Sequence, residues 1–432
     1  MINNAIYKDS GVSWIDEMPN RWRIQRLKNV LINRNESNNP IKTDFILSLT
    51  NDRGVIPYDE KGDVGNKSKD DLTGYKLAYP GDIVLNSMNV IIGSVGLSDY
   101  FGAVSPVYYM LYPRNKTDDV RFYNYIFQTH EFQQSLKGYG NGIMEIRMRI
   151  PIGNLNNVML PIPVSEEQKA IADYLDRECA RVDMIVEKQC KIIEKLKEYK
   201  KSVITEVVTK GLNPAAPMKD SRIEWIGKLP AHWNISKLKH YARYITDGTH
   251  VTPEYIAEGI PFLSIKDISS GKIDFSDVKY ISESAHIELY KHAPIERGDI
   301  LFTRIGTLGV SVIVDTGTVF DIFVSVGLVK PKADIDTKYL NYVMNSEYYY
   351  QYIQLVKAGG GTSAAKFNLC DVSNSPIIYP PMQEQQAIAA HLDQKCAEID
   401  FMVVQREKMI DLFTEYKKAL IYECVTGKKE VA

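Results

Sequence analysis

The sequence is poor in cysteine and has no long apolar run. Its 432 residues include five cysteines and no CxxC pair, which argues against a zinc ribbon or a thioredoxin-type redox motif. The best apolar run, Val90-Ile91-Ile92, ends at Gly93, far short of the ~18 residues that a membrane span needs. The first nine residues lack the basic and apolar regions of a signal peptide. We therefore expect a reduced, cytoplasmic protein with no membrane segment.

The chain also lacks an excess of charge and the short motifs of common enzyme sites. Its 52 basic and 54 acidic residues give a net charge of −2, so any nucleic-acid binding has to depend on local patches. We find no GxxxxGK[ST] loop, no GxGxxG between a strand and a helix, and no HExxH or GxSxG motif. The seven histidines show no metal-ligand spacing. We expect no catalytic site, no metal and no cofactor in this chain.

What the sequence does contain is a long internal repeat. Residues 9–28 and 220–239 agree at nine of twenty positions, and all four tryptophans lie in these two segments. Residues 167–209 and 384–426 agree at 21 of 43 positions, at an offset of 217 residues. Between them, the Gly-Asp-Ile triplets at 81–83 and 298–300 match at the same offset. The chain is therefore a tandem duplication, with a period of about 210 residues that is far too long for a solenoid.

Each copy consists of a variable body followed by a well-matched tail. The stretch between the copies contains Gly211, Pro214 and Pro217, which exclude a continuous helix there. Two copies of one unit predict a molecule with pseudo-two-fold symmetry. The predicted segments are a first body at 1–160, a first tail at 161–210, a linker at 211–219, a second body at 220–379 and a second tail at 380–427.

The tails have the pattern of long helices. Ser165 is followed three residues later by Gln168, the spacing of a capping box, so the first helix is predicted to begin near Ser165. Apolar residues then recur at alternating steps of three and four, the seam pattern of a coiled coil. The residues predicted to pair the helices are Val182, Val186, Ile193, Leu196 and Val203 in the first tail, and Ile399, Val403, Ile410, Phe413 and Leu420 in the second.

Polar residues interrupt both seams at equivalent places, Gln189/Arg406 and Lys200/Lys417. Polar residues inside a seam fix its register at some cost in stability, so the matching interruptions favour packing of the two helices on each other. Pseudo-two-fold symmetry would make that pair antiparallel. The alternative is that each helix packs on its own body, although a helix of about 45 residues, ~65 Å long, outreaches a body of this size.

The bodies mix strand-like and helix-like segments, and the predicted fold class is α+β. In outline, two tandem domains are separated by two long antiparallel helices. Boundaries of such predictions are accurate to a few residues. Strands are predicted at 45–49, 82–85 and 104–112 in the first body and at 262–265, 299–302, 310–314 and 319–329 in the second, with one helix in each body near 118–136 and 336–356.

Polar loops that directly follow strands hold the candidate contact residues. Amide, hydroxyl and guanidinium groups are the donors and acceptors that read base edges, and basic residues before each tail offer phosphate contacts. For any one residue, an ordinary solvated loop is an equally good interpretation. The candidates are Thr50, Asn51, Arg53, Asn86, Ser87, Asn89, Arg147 and Arg149 in the first body, and Thr249, His250, Lys266, Thr303, Arg304 and Lys366 in the second.

The tails also carry the residues of a known family. After Pro161-Ile162-Pro163 come Glu167-Gln168, Ile171-Ala172 and Leu175-Asp176, and the second tail repeats the pattern as Pro380-Pro381, Glu384-Gln385, Ile388-Ala389 and Leu392-Asp393. This doubled signature resembles the specificity subunit of type I restriction-modification systems. The Trp-Ile/Pro/Trp segments that open each copy and the Gly-Asp-Ile triplets are also similar to that family, so the resemblance covers essentially the whole chain.

The resemblance implies a sequence-specific DNA-binding subunit that is not an enzyme. Each body would be a target-recognition domain that reads one half of a bipartite, asymmetric site in double-stranded DNA, and the helices would set the gap. Two methyltransferase subunits would dock on the helices and bring S-adenosylmethionine, and motor-nuclease subunits would join them. Consistent with this division of labour, the chain has no Asn/Asp-Pro-Pro-aromatic methyltransferase motif.

Two other interpretations stay open from the sequence. One is a coiled-coil scaffold that does not bind DNA, which a gel shift with the methyltransferase partner would distinguish. The other is a two-domain enzyme with an unrecognised site, which a methylation assay on the isolated chain would reveal.

Overall fold

The computed structural model describes residues 6–51, 53–62, 71–140, 148–358 and 365–431. It divides into two compact units: unit 1 comprises Met1–Cys190 and Lys408–Ala432, and unit 2 comprises Lys191–Glu407. The boundary falls within both long helices. Each unit therefore contains one body, the beginning of that body's own tail helix and the end of the other tail helix.

The first copy alternates short strands and short helices before its long helix. Its strands are β1 (Tyr7–Asp9), β2 (Glu17–Pro19), β3 (Arg23–Arg26), β4 (Leu31–Arg34), β5 (Leu47–Thr50), β6 (Gly54–Pro57), β7 (Lys76–Ala78), β8 (Ile83–Asn86), β9 (Val95–Leu97), β10 (Gly102–Val104), β11 (Tyr108–Pro113) and β12 (Met159–Ile162). Its helices are α1 (Leu27–Val30), α2 (Val120–Gln128), α3 (His130–Ser135), α4 (Ile152–Leu155) and the long α5 (Ser165–Lys210).

The second copy follows the same plan. Its strands are β13 (Met218–Asp220), β14 (Lys228–Pro230), β15 (Asn234–Lys237), β16 (Ala242–Asp247), β17 (Ile260–Leu263), β18 (Lys279–Ile281), β19 (Ile300–Thr303), β20 (Ser311–Ile313), β21 (Asp321–Ile322), β22 (Val326–Pro331) and β23 (Pro376–Tyr379). Its helices are α6 (Glu283–Tyr290), α7 (Thr337–Met344), α8 (Glu347–Val356), α9 (Leu369–Asn374) and the long α10 (Met382–Val425).

Each body is built on a four-stranded sheet whose adjacent strands are antiparallel. The strand order is β4-β11-β8-β9 in the first body and β16-β22-β19-β20 in the second. The bodies differ beside this sheet: the first has the pairs β5-β6 and β7-β10, whereas the second has the sheet β18-β17-β21, in which β17 and β21 run parallel. The four-stranded sheet is therefore preserved between the copies, whereas the strands beside it, β5, β6, β7 and β10 in the first body and β17, β18 and β21 in the second, have diverged.

The tryptophan segments anchor each body to its tail. Trp22 and Trp233 are 1% and 0% exposed, which removes two of the largest apolar side chains from water. β3 pairs with β12 and β15 pairs with β23, so the segment that opens each copy is hydrogen-bonded to the strand just before the long helix. A long helix also ends at each tryptophan: a Cβ added to Gly427 or Gly211 would lie within 3.1 Å of the ring of Trp22 or Trp233, respectively. Both glycines have positive φ, +73° and +75°, as expected just past a helix end.

The single helix predicted in each body is in fact two short helices. Thr129 separates α2 from α3 with extended backbone angles, φ −74° and ψ 136°, and Ser346 separates α7 from α8 with φ −80° and ψ 156°. Each hydroxyl donates to a carbonyl of the preceding turn, Thr129 to Ile126 at 2.8 Å and Ser346 to Val343 at 2.6 Å. This local hydrogen bond competes with the helix and explains the break, which apolar periodicity alone does not reveal.

Helix α5 begins at Ser165 as predicted, but the glutamine of the predicted capping box has another role. Gln168 accepts a hydrogen bond from the backbone N–H of Asp119, at 3.1 Å, and donates to the carbonyl of Pro163. In the second copy Gln385 accepts from the N–H of Asp336 at 2.8 Å and donates to Pro380. Both glutamines are buried, so they fix the start of each long helix against the N-cap residue of a body helix.

The Gly-Asp-Ile triplets form a buried, charged turn before β8 and β19. Asp82 accepts a hydrogen bond from the N–H of Tyr79 and pairs with Arg34 at 2.9 Å. Burial raises the pKa of Asp82, and the adjacent Arg34 opposes that effect. Asp299 accepts from the N–H of Glu296 and pairs with Lys330 at 2.6 Å. The acidic side chain is thus retained to close the turn, while the two copies take its cation from different strands.

The long helices contribute to both hydrophobic cores. The end of α10, including Leu420, Ile421 and Cys424, packs with the core of unit 1, and the end of α5, including Ile204 and Val208, packs with the core of unit 2. Packing of each helix on its own body alone is therefore wrong for the helix ends. Within the described part of the chain, no helix is long and apolar enough to cross a membrane.

Candidate nucleic-acid interface

In the first body, three candidate segments lie together at the end of β8. β8 ends at Asn86, and the loop after it carries Ser87 to Asn89. The start of β6, which follows the turn from β5, packs against β9, the next strand after that loop. The two backbones approach so closely that a Cβ on Gly96 would lie 2.8 Å from the Cα of Gly54. The segment before the tail joins them, because the N–H of Ile150 donates to the carbonyl of Ser87 at 2.9 Å.

In the second body the equivalent segments converge in the same way. The N–H of Phe367 donates to the carbonyl of Arg304 at 2.8 Å, and the N–H of Gly306 donates to Ala365 at 2.9 Å. Lys266 lies in a single 3-10 turn, Ile265–Asp267, whose first N–H donates to the hydroxyl of Ser325. Ser325 in turn accepts a backbone hydrogen bond from the N–H of Arg304, so this turn belongs to the same group of segments. We refer to these two groups of loops, one in each body, as the loop edges.

The loop edges of the two bodies share one pattern of hydrogen bonds. Ser87 and Arg304 are equivalent at the 217-residue offset, as are Ile150 and Phe367, so the backbone bond between them is the same in both copies. The side chains at this position also bond equivalent carbonyls. Ser87 donates to Val107 at 2.8 Å, and Arg304 donates to Val324 at 3.3 Å. The backbone framework is therefore conserved between the copies, while the side chains on it differ.

The candidate residues divide into buried and accessible ones. Ser87, Thr303 and Arg304 are buried and bonded within their own body. Thr50, Asn86, Asn89 and Thr249 are half-buried, and the exposed candidates are Asn51, Arg53, Arg149, His250, Lys266 and Lys366. Arg147 lies outside the described residues.

Several accessible candidates already have partners within the chain. The guanidinium of Arg53 donates to the carbonyl of Glu60 at 2.9 Å, and the ammonium of Lys266 lies 2.7 Å from the carboxylate of Asp277. The amide oxygen of Asn86 accepts from the N–H of Met88. These bonds hold the side chains in place, so that a nucleic acid would meet a partly ordered surface.

Among the described candidates, Arg304 is the one whose charged group has the most partners inside its own body. Its side chain is 9% exposed, and its guanidinium pairs with the carboxylate of Asp247, itself 5% exposed. It also donates to the carbonyls of Phe367 and Val324. A guanidinium with these partners holds three segments of the loop edge together. The role of Asp247 is not visible in the sequence, where the residue is only the first of a polar turn, Asp247-Gly248-Thr249-His250.

The basic residues before the tails place local positive charge at the loop edges of this nearly neutral chain. Arg149 is exposed beside Lys76, and the two cations are close enough that Arg149 adds to the effect of burial in lowering the pKa of Lys76. Lys366 is exposed at the equivalent position of the second body. Cations at these places can contact phosphates of a nucleic-acid backbone.

Nothing in the described residues suggests metal chemistry at the loop edges. Over the part of the chain that the structure describes, no group of three or more His, Cys, Asp or Glu side chains is arranged to hold a metal ion. The loop edges are thus surfaces of hydrogen-bonding groups and scattered cations on a fixed backbone. Such a surface suits recognition of a polar, anionic polymer.

A known protein family matches both copies of the repeat. The family described as "Type I restriction modification DNA specificity domain" matches residues 19–206 and again residues 230–410. The two matches cover most of the chain and coincide with the two copies of the repeat. The chain belongs to this family and carries two tandem specificity domains.

Curated relatives extend over both domains. The chain is 26% identical over 336 residues to the type I restriction enzyme MjaVIII specificity subunit of Methanocaldococcus jannaschii, covering 76% of this chain and 75% of the relative. It is 25% identical to a putative type I restriction enzyme MjaX specificity subunit of the same organism, covering 96% of both chains. It is 23% identical to the Escherichia coli EcoBI specificity subunit, covering 69% of this chain and 65% of the relative.

Solved structures share the fold. A chain from a study of complex assembly and conformational transition of the type I R-M system superposes with a TM-score of 0.70 at 14% identity, covering 95% of this chain and 99% of that one. The HsdS subunit from Thermoanaerobacter tengcongensis gives a TM-score of 0.50 at 16% identity, covering 95% and 98%. The α+β class and the doubled architecture predicted from the sequence are confirmed.

Proposed function

We propose that this chain is the recognition subunit of a type I restriction-modification complex, in which each loop edge reads one half of a bipartite, asymmetric site in double-stranded DNA. The observation that carries the proposal is the duplicated loop edge. One hydrogen-bonded framework occurs in both bodies, yet the side chains on it differ at nearly every exposed position. Equal frameworks support the same task, and unequal side chains support different base sequences.

The two long helices act as the spacer between the half-sites and as the docking platform for partner subunits. Their seam residues are buried or half-buried, whereas most residues between the seam positions are exposed. One exposed group stands out because it is apolar and occurs twice at the repeat offset. Met184 and Tyr416 lie in unit 1, and their repeat equivalents Phe401 and Tyr199 lie in unit 2, with exposures of 47–65%.

Exposed aromatic and methionine side chains are unusual on a monomer and enriched at interfaces. Tyr416 precedes Lys417, which pairs with Asp183, and Met184 follows that aspartate. Tyr199 and Phe401 stand in the same relation to Lys200 and Asp400. We call these pairs the unit 1 patch and the unit 2 patch. Two equivalent patches suit two copies of one partner, and we assign them to two methyltransferase subunits.

The chemistry resides in those partners. The methyltransferase subunits supply S-adenosylmethionine, motor-nuclease subunits join the complex, and this chain contributes recognition without catalysis or a cofactor of its own. Phosphate contacts from the partners compensate for the near-neutral charge of this chain. The complex works in the cytoplasm, where the DNA and reduced cysteines are found.

Methylation mapping of a host that carries this chain with its partners tests the proposal. We expect one bipartite motif, and Lys366→Ala should weaken methylation of that motif without changing its sequence, because a phosphate contact carries no base information. Asn374→Ala is the control: this half-buried side chain follows the loop edge, and its amide donates to the carbonyl of Cys370. Complexes that methylate no defined motif, or that fail to shift any duplex, would instead support a scaffold that does not bind DNA.

The docking patches have their own test. Replacing Met184 and Tyr416 by serine should remove one methyltransferase subunit from the purified complex, and replacing Tyr199 and Phe401 should remove the other. Lys188→Ser with Gln405→Ser is the control, because these exposed residues are also equivalent in the repeat. Subunit stoichiometry by native mass spectrometry gives the answer. If both patch variants retain two methyltransferase subunits, the patches are not the docking sites.

A further inference from the structure

The loop that follows β16 in the second body is held by its backbone on both sides. The N–H of Gly248 donates to Val326 at 3.1 Å, the N–H of Thr249 donates to Ile322 at 3.1 Å, and the N–H of Val324 donates back to Thr249 at 3.0 Å. The approach requires glycine, because a Cβ at Gly248 would lie 2.0 Å from the carbonyl oxygen of Ile322. The residue that follows Thr249 is therefore presented from a fixed position.

That residue is His250, whose side chain is 67% exposed although one of its nitrogens is bonded. Its Nε2 lies 3.0 Å from a carboxylate oxygen of Asp247. A carboxylate only accepts hydrogen bonds, so Nε2 of His250 carries the hydrogen and donates it to Asp247, and in this tautomer Nδ1 is left as an acceptor. A fixed and accessible acceptor on a rigid loop is the geometry that base readout needs.

Besides His250, two other side chains approach the carboxylate of Asp247, and their contacts differ from that of His250. Arg304 pairs with the same carboxylate oxygen and offsets its charge, so the acid does not place an uncompensated anion near a nucleic-acid backbone. His292 also approaches, but its Nε2 is 3.7 Å from the other carboxylate oxygen and 3.2 Å from the hydroxyl of Thr246. Asp247 thus joins the buried framework of the loop edge to one exposed side chain.

The first body has no such arrangement at the same place. Asp247 lies opposite Gly327 in the sheet, and the equivalent position opposite Met110 is occupied by Arg34. Arg34 pairs with Asp82 of the Gly-Asp-Ile turn and stacks on Tyr79 and Tyr112. Any recognition that depends on Asp247 therefore belongs to the second half-site alone.

We infer that His250 reads a base edge in the second half-site and that Asp247 is its positioning residue; the inference rests on the proposed function. An imidazole acceptor matches an amino group in the major groove, N6 of adenine or N4 of cytosine. Asp247 acts through His250 by selecting the tautomer and fixing the ring. Arg304 acts one step further back, by holding Asp247.

Duplex binding by the complex with its methyltransferase subunits tests this inference, using the motif that methylation mapping defines. Each base pair of the second half-site is changed in turn, and affinities are compared between chains. We expect His250→Ala to lose roughly 5- to 10-fold discrimination at one adenine or cytosine, as for a single base contact, and to keep discrimination elsewhere. His250→Gln, which retains an acceptor, should restore part of it. A base analogue without the amino group should weaken the wild-type complex and leave His250→Ala unaffected.

Asp247→Asn tests the positioning role. It should lose discrimination at the same base pair, and it should add nothing further in the His250→Ala background, because both changes remove one contact. His292→Ala is the control, since it removes the other imidazole near Asp247. If His250→Ala weakens binding equally on every duplex sequence, His250 is a phosphate contact and the inference is overturned. The inference is also overturned if His292→Ala changes base specificity in the same way as His250→Ala. A wild-type complex without sequence preference would instead contradict the proposed function.

Discussion

The ammonium group of Lys417 lies 2.6 Å from both carboxylate oxygens of Asp183, which joins the last part of α10 to the first part of α5 in unit 1. The repeat generates the same relationship in unit 2, where Lys200 lies 2.7 Å from both oxygens of Asp400. Lys200 and Lys417 are one of the two equivalent pairs of polar interruptions in the seams. Each of these two lysines has a partner on the opposite helix, so that the register of the helix pair is set by charge as well as by apolar packing.

We expect Lys417→Asp to weaken the helix pair, because it opposes Asp183 with a like charge. The ion pair is partly exposed, so the loss in free energy of unfolding should be about 0.2–1 kcal/mol. Adding Asp183→Lys should recover most of that loss by reversing the pair. Chemical denaturation of the single and double variants measures the coupling. If the double variant is no more stable than the sum of the single changes predicts, the pair contributes nothing to register.

The Gly-Asp-Ile turns predict unequal costs for the same substitution. Asp299→Ala should destabilise unit 2 more than Asp82→Ala destabilises unit 1, because Lys330 is 10% exposed whereas Arg34 is 27% exposed. Removing one partner of a buried pair costs roughly 3–5 kcal/mol, and access to water reduces that cost. Thermal unfolding of both variants gives the comparison. Equal shifts would show that burial of the cation does not decide the effect.

Arg304→Ala should act first on stability. The change leaves the carboxylate of Asp247 buried without its guanidinium, at a cost of roughly 3–5 kcal/mol. Ser87→Ala, at the equivalent position of the first body, removes one neutral hydrogen bond and should cost about 1 kcal/mol. Denaturant unfolding of the two variants tests the contrast. If the Arg304→Ala chain is as stable as wild type but has an altered base preference, Arg304 contacts a base directly and is not a structural residue.

The five cysteines should differ in reactivity. Burial raises the pKa of Cys179 to about 11 and that of Cys424 to about 12, and it also raises the pKa of Cys396. A raised pKa keeps these thiols protonated near pH 8, and burial also shields them from the reagent. Exposed Cys190 and Cys370 should therefore react with maleimide in the native protein, and all five should react in urea. Rapid native labelling of more than two sites would indicate that the helix ends open.

Helix length should set the gap between half-sites. We expect four residues inserted after Glu187 in α5, with four after Val404 at the equivalent point of α10, to keep both lysine–aspartate pairs while adding ~6 Å at 1.5 Å per residue. That length corresponds to about 2 base pairs. Lengthening the 211–219 linker should leave the gap unchanged. Methylation mapping distinguishes the two variants, and a gap that follows the linker would contradict the spacer role.

The repeat, the two long helices and the family were accessible from the sequence, because duplication leaves identities and a coiled-coil seam leaves a period. The start of α5 at Ser165 was predicted from the three-residue spacing between Ser165 and Gln168. The role of Gln168 was not, since its partner Asp119 is distant in sequence and a capping box has the same spacing. The breaks at Thr129 and Ser346 were also missed, because one hydroxyl bonding to the preceding turn does not disturb the apolar pattern.

By itself, the sequence determined the order of the segments, the doubling and the polar character of the strand-end loops. Only the tertiary structure decided which of those polar groups remain available. Ser87 and Arg304 looked like exposed contacts, yet both are buried in the framework that holds their loop edges, while Asp247 organises the loop that presents His250. The reason is physical: a polar group that leaves water must find a partner, and that partner is chosen by the folded backbone.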